Sequence, residues 1–262
     1  MTTDFGYEDP FAGVMKGVIY TINPQAIIVD LTHNIAPQNI REAAFIIGMN
    51  YHYFPKESVH LVVVDPEVGS GRRPLLVVAD EHYFIGPDNG VFSYLYNRGA
   101  RDLKVVHITS EHLFLRKDSP TFQGRDVFSP CAGWLTAGLD ISKFGEEISD
   151  YRTIDLPSPV RTSDLELQGK VIFIDRFGNA ITNIQKTDMA ELQGMQPGGA
   201  LRVFLKGRDM QLSSYYSQAE NMGISALINS SGYLEVFIYR DSAASKYNIL
   251  SGDAVKVAIS SF

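Results

Sequence analysis

Phe11, Val14, Met15, Val18, Ile19 and Ile22 recur at spacings of three and four, which predicts a helix over 11–22 with one apolar stripe. Asp9-Pro10 suits its first turn. The short apolar run AIIVDL (26–31) has strand length, REAAFIIGMNYHYF (41–54) returns to helical spacing, and VHLVVVD (59–65) is a continuous β-branched run. The rhythm continues through LLVVAD (75–80), the helix-like GVFSYLYNRG (90–99), LKVVHI (103–108) and a helical SPCAGWL around Cys131. Alternating helices and buried strands predict an α/β domain built on a parallel sheet covered on both faces.

The rhythm then stops. Residues 151–166 are polar, carry Pro157 and Pro159, and show no sustained period, so they read as a linker between a domain over 1–150 and a second over 167–262. The second part is strand-like throughout, in KVIFID, LRVFL, ALINSSGYLEVFIY and AVKVAIS, with glycine-bearing turns between them. That pattern predicts a smaller antiparallel β-barrel or sandwich.

Composition removes several function classes. With 23 basic against 30 acidic residues the net charge is −7, and Arg72-Arg73 is the densest basic spot, so no nucleic-acid surface is expected. One cysteine, Cys131, forms no internal disulfide and no thiolate metal site, and it reads as a small buried hydrophobe. The six histidines are scattered without HExxH or an i, i+4 pair, so no metal site is expected from them, although carboxylate sites stay open. No apolar run approaches the ~20 residues of a membrane span, and MTTDFGYEDP lacks the basic and apolar regions of a signal peptide. A soluble, cytoplasmic protein is expected.

Candidate chemistry sits where strands end, because loops leaving the carboxyl edge of an open α/β sheet converge there. Asp65 ends the VVVD run in a glycine-rich turn with Arg72 seven residues on. A carboxylate facing a guanidinium stays ionised and oriented, which suits it to hold or deprotonate a water, and an ordinary loop ion pair is equally compatible with the spacing. Asp4 in TTDFG is placed to accept hydrogen bonds from a diol, or to cap a turn. In IDRFGNAITNI, Phe177 offers a stacking face and Asn179 an amide for a purine edge, where the alternative is a plain Gly178-Asn179 turn. Ser230 and Ser231 precede Gly232 and offer hydroxyls and N–H groups to a carboxylate. Neither a G-x-G-x-x-G fingerprint nor a Walker motif is present.

TTDFG (2–6), DPFAGVMKGVI (9–19), DLTHNIAPQN (30–39), FPKESVHLVVVDPEVGSGRRP (54–74), GPDNG (86–90), TFQGRDVFSP (121–130) and FGNAITNI (177–184) together resemble the S-adenosyl-L-methionine hydroxide adenosyltransferase family, the SAM hydrolases related to fluorinase and chlorinase. The resemblance runs in order over nearly the whole chain. It implies attack of water at C5′ of the ribose of S-adenosyl-L-methionine, releasing adenosine and methionine without a cofactor. It also implies an α/β domain followed by a β-barrel domain, in a homotrimer with active sites at subunit interfaces. By this resemblance Asp4 binds the ribose diol, Phe177 and Asn179 the adenine, and Asp175, Ser230 and Ser231 the methionine ammonium and carboxylate. Asp65 and Arg72 match two members of the family's Asp-Arg-His triad. Where the halogenases carry a tyrosine and a threonine, this chain has Asp65 and Val68, which favours water over halide.

The chain departs from the family at three places. Gln123 stands where the triad histidine is expected; an amide hydrogen-bonds a water but does not take its proton at neutral pH, so slower turnover or base duty on Asp65 is expected. The family has an apolar strand before TTDFG whereas this sequence begins at Met1, so either the sequence is trimmed or the central sheet lacks part of its first strand, with a looser Asp4 expected in the second case. IYRDSAA (238–244) replaces a more Asn-Gly-like stretch beside the adenine pocket. Gln123 also motivates a second reading, a sensor or scavenger that binds S-adenosyl-L-methionine or adenosine with little turnover.

Overall fold

A computed structural model of the chain describes residues 1–115 and 120–260. It divides into two compact units, Met1–Leu156 and Pro157–Phe262.

The first unit runs β1 (Thr2–Thr3), α1 (Phe11–Ile22), α2 (Ile40–Asn50), β2 (Val59–Val63), β3 (Pro74–Ala79), β4 (His82–Pro87), α3 (Ser93–Asn97), β5 (Lys104–Ile108), α4 (Ser129–Thr136) and β6 (Gly145–Glu147). Its six strands form one sheet in the order β1-β2-β4-β3-β5-β6. Leu61 and Val63 of β2 pack into a core with Met15 and Ile19 of α1 and Phe128, while Val62 and Val64 face a second core with Ala43 and Ile47 of α2 and Phe84. Burial on both faces is why this strand reads as an unbroken apolar run. Each such side chain contributes about 1.5–3 kcal/mol relative to exposure.

The sheet is mixed rather than parallel throughout. β1 and β4 flank β2 in parallel, and β3, β5 and β6 continue antiparallel. The reversal comes from a two-residue hairpin turn in which Asp80 and Glu81 both have positive φ, 50° and 64°. That turn matches strand twist but is usually announced by Asn-Gly, so β4 is poorly marked in the sequence. The run at 26–31 is not a strand either. It lies extended beside the chain start, with Met1 N donating to Val29 O and Leu31 N to Met1 O, but β1 is two residues long and offers no ladder. Cys131 is fully buried in α4, and burial pushes its thiol up to about 12.

The second unit runs β7 (Val160–Ser163), β8 (Glu166–Ile174), β9 (Ala180–Gln185), α5 (Lys186–Met195), β10 (Ala200–Leu205), β11 (Arg208–Gln211), β12 (Ile224–Ile228), β13 (Tyr233–Ile238), α6 (Ala243–Tyr247) and β14 (Ala254–Ser260). β7 forms inside the stretch read as linker and pairs with β8. The strands follow the order β11-β10-β14-β8-β9-β13-β12, antiparallel at every pairing. A bridge between Leu212 and Ala226 brings the two ends together, so the sheet is nearly closed and barrel-shaped. Leu234, Val236 and Ile238 of β13 point into the barrel core. On its other face, Phe237 packs with Leu227 and with Ala219 of a 3₁₀ turn over Tyr216–Ala219.

Candidate functional site

Parallel pairing fixes the candidate site of the α/β unit. Thr3 registers with Val63, so the next residues of both strands, leading to Asp4 and Asp65, leave the same carboxyl edge. Both line a cleft of about 730 Å³ with Gln123, Phe5, Phe11, Phe122 and Val68. Phe5, Phe11 and Phe122 meet edge to face, with centroids 5.3–6.0 Å apart, and build an aromatic wall.

Asp65 is held by Arg72, whose Nη2 donates to Asp65 Oδ2 within the turn it closes. Both side chains are nearly inaccessible, and the Arg72 guanidinium lies 5.1 Å from the centroid of the Phe128 ring. Asp65 Oδ1 and Arg72 Nε and Nη1 are buried without a protein partner. Buried polar atoms of this kind demand hydrogen bonds, so the pair presents an acceptor and donors to whatever enters. Neighbouring ion pairs brace the loop: Arg73 binds Asp88 and Asp150, and Arg152 binds Glu67. Gln123 precedes a π-helical turn over Gly124–Phe128 that runs straight into α4, a local irregularity often found at functional sites.

Asp4 is anchored rather than loosened, since its Oδ2 accepts from Gln38 N at 2.8 Å. The residue before it is pinned too. His33 is fully buried, with Nε2 3.0 Å from Asp30 Oδ1 and Nδ1 2.7 Å from Thr3 Oγ1. Burial lowers the His33 pKa and favours the neutral ring. A carboxylate only accepts, so Nε2 carries the proton and Thr3 donates to Nδ1. Lys16 completes the chain by pairing with Asp30.

The barrel unit carries its own cleft of about 690 Å³, lined by Asp175, Phe177, Asn179, Tyr216, Tyr239 and residues 240–242. Asp175 organises this wall: Oδ1 accepts from the main-chain N–H of Phe177 and Asn179, and Oδ2 from Asn179 Nδ2, all at 2.9 Å. Because Nδ2 is committed to Asp175, Asn179 Oδ1 is the amide atom left to accept. Phe177 is 79 % exposed, its ring face unpacked. Ser230 and Ser231 do not line this cleft; they sit exposed on the turn from β12 to β13.

Sequence reasoning missed Tyr216 and Glu235. Tyr216 donates to Glu235 Oε1 at 2.7 Å, and Asn229 Nδ2 donates to Oε2 at 3.1 Å. Burial raises the Glu235 pKa, and burial together with Glu235 raises that of the Tyr216 hydroxyl. Among the described residues no group of three or more His, Cys, Asp or Glu is arranged to hold a metal ion, and no helix is long and apolar enough to cross a membrane.

An α/β unit with a carboxylate–guanidinium pair at the end of parallel strands, followed by a barrel unit with an aromatic-amide cleft, defines the class. The chain belongs to the SAM hydroxide adenosyltransferase family: its N-terminal domain model matches residues 1–145 and its C-terminal domain model residues 169–256. Relatives named (R)-S-adenosyl-L-methionine hydrolase include one from Methanocaldococcus jannaschii, 33% identical over 98% of this chain and 94% of its own, and one from Thermus thermophilus, 32% identical over 97% of each. A fluorinase from Nocardia brasiliensis is 26% identical over 98% of this chain and 95% of its own. Among solved structures, an uncharacterized conserved protein from Thermotoga maritima superposes with a TM-score of 0.89 at 29% identity, covering 98% of both chains.

Proposed function

We propose that this chain hydrolyses S-adenosyl-L-methionine by attack of water at C5′ of the ribose, giving adenosine and L-methionine. The observation that carries this reading is the buried Asp65–Arg72 pair, whose carboxylate lines the same cleft as Asp4 and Gln123 and which leaves one carboxylate oxygen and two guanidinium nitrogens without a protein partner. A sulfonium is already a good leaving group, so the protein chiefly has to align a water with the C5′–S bond and draw on its proton. Asp65 Oδ1 is the acceptor for that water, Arg72 keeps the carboxylate aimed, and Gln123 supplies a further hydrogen bond. Neither metal nor cofactor is required by this chemistry, so the rate is expected to be indifferent to EDTA.

In the same reading Asp4 accepts from the ribose diol, Phe177 stacks on the adenine, and Asn179 Oδ1 accepts from its amino group. Asp175 Oδ2, which takes a single hydrogen bond from the turn, faces the methionine ammonium, and Ser230 and Ser231 receive the carboxylate. The active assembly is a cytoplasmic homotrimer with sites at subunit interfaces. Support for association comes from the family resemblance and from Phe11, Val14 and Tyr20, which α1 leaves exposed; light scattering on the eluting peak reads the stoichiometry. Chromatography of protein incubated with S-adenosyl-L-methionine tests the activity. Adenosine and methionine in equal amounts are expected, and tight binding with no adenosine after long incubation would overturn the reading.

A further inference from the structure

We infer that Glu235 is a positioning residue that ties the Ser230–Ser231 turn to the Tyr216 wall of the barrel cleft, so that one buried carboxylate sets the geometry of both. The inference rests on the proposed binding of the substrate carboxylate by Ser230 and Ser231.

Glu235 is 3 % exposed on a strand whose neighbours on the same face are Tyr233 and Phe237. A carboxylate at such a position is costly unless its oxygens are satisfied. They are satisfied by two groups from different segments, the Tyr216 hydroxyl on Oε1 and the Asn229 amide on Oε2. Tyr216 lines the cleft, and its ring meets Phe237 edge to face at 5.0 Å. Asn229 shapes the turn. Its Oδ1 accepts from Ser231 N at 3.0 Å and Tyr233 N at 3.1 Å, and its carbonyl accepts from Gly232 N at 3.0 Å. The amide orientation follows from these partners: Oδ1 faces two N–H donors, so Nδ2 must find an acceptor, and Glu235 is that acceptor. Rotating Asn229 would set donors against donors on the turn. Glu235 therefore reads as the reason the amide, and with it the pair of serines, holds one geometry.

This logic makes the pair exchangeable. In Asn229→Asp, the new carboxylate still accepts from the turn but faces Glu235 with a second negative charge. In the double variant Asn229→Asp with Glu235→Gln, the glutamine amide donates to residue 229 and its carbonyl accepts from Tyr216. Every hydrogen bond is restored with the original net charge. Steady-state hydrolysis of S-adenosyl-L-methionine by the full-length protein tests this. Asn229→Asp is expected to raise KM about tenfold, the cost of about one net hydrogen bond, with kcat within about threefold, and the double variant to return KM to within about twofold of wild type. A single variant with wild-type KM, a loss confined to kcat, or a double variant that stays impaired overturns the inference. If the single variant does not fold, the double variant decides by the same KM criterion. Wild-type protein that forms no adenosine sinks the hydrolase reading itself, whereas wild-type turnover with a failed exchange sinks only the role of Glu235.

Discussion

Asp65 and Arg72 use one oxygen and one nitrogen on each other and keep the rest of their polar atoms for a guest. An amide in place of the carboxylate would leave Arg72 as a buried, uncompensated cation, at a cost of about 3–5 kcal/mol. Asp65→Asn is therefore expected to lower the melting temperature and to cut adenosine formation by about 10²-fold or more, while adenosine binding persists; undiminished turnover would remove Asp65 from the mechanism. Gln123 stands where a base would be useful. Gln123→His is expected to raise the rate about tenfold, a fraction of what a positioned base supplies, and to add a pH dependence near the ordinary histidine range. A neutral or harmful effect on a pH–rate profile counts against the triad account. The carboxylate–arginine spacing was legible because both ends of one turn lie in one short motif. The buried carboxylate of Glu235 was not, because LEVF gives no sign that the strand's second face is covered.

Elements decide how those side chains are presented. The Phe177–Asn179 turn depends on Gly178, whose φ is +81° and where an added Cβ would lie 2.0 Å from Ser242 Oγ. Gly178→Ala is expected to cost about 1–3 kcal/mol in strain and to weaken adenosine binding at least tenfold, measured by calorimetry; unchanged affinity would separate this turn from the nucleoside. Helix α1 matches its expected limits, but of the expected stripe only Met15 and Ile19 are buried, joined by Ala12, while Phe11 and Val14 stay exposed. The segment at 26–31 could not, because an apolar run says nothing about whether a partner strand is long enough to pair with it. The switch to antiparallel pairing hid in an Asp-Glu turn that adopts a geometry usually left to Asn-Gly.

The whole molecule carries an acid sensitivity separate from its chemistry. His60 and His82 lie side by side, 3.2 Å between ring nitrogens, with His60 stacked on Phe84. Burial lowers both pKa values, that of His60 to about 3. The unfolded chain, with histidines near their ordinary value, binds more protons than the native state between about pH 6.5 and 3. Stability is thus full above that window and falls on acidification through it. Urea midpoints are expected to drop from pH 7.5 to 5, less steeply in His60→Phe, and equal slopes would exonerate the pair. Two units with separate cores also account for why the α/β and barrel halves could be told apart along the chain. The parallel pairing of β1 with β2 also bears on the order of assembly. The β3–β4 hairpin closes across two residues, but Asp4 meets Asp65's edge only after a long loop is closed, and such distant contacts form late and are lost early. The edge that carries Asp4 and Asp65 is thereby the least secured seam of its sheet: rising urea should extinguish turnover before it melts the far-ultraviolet signal of the strands behind it.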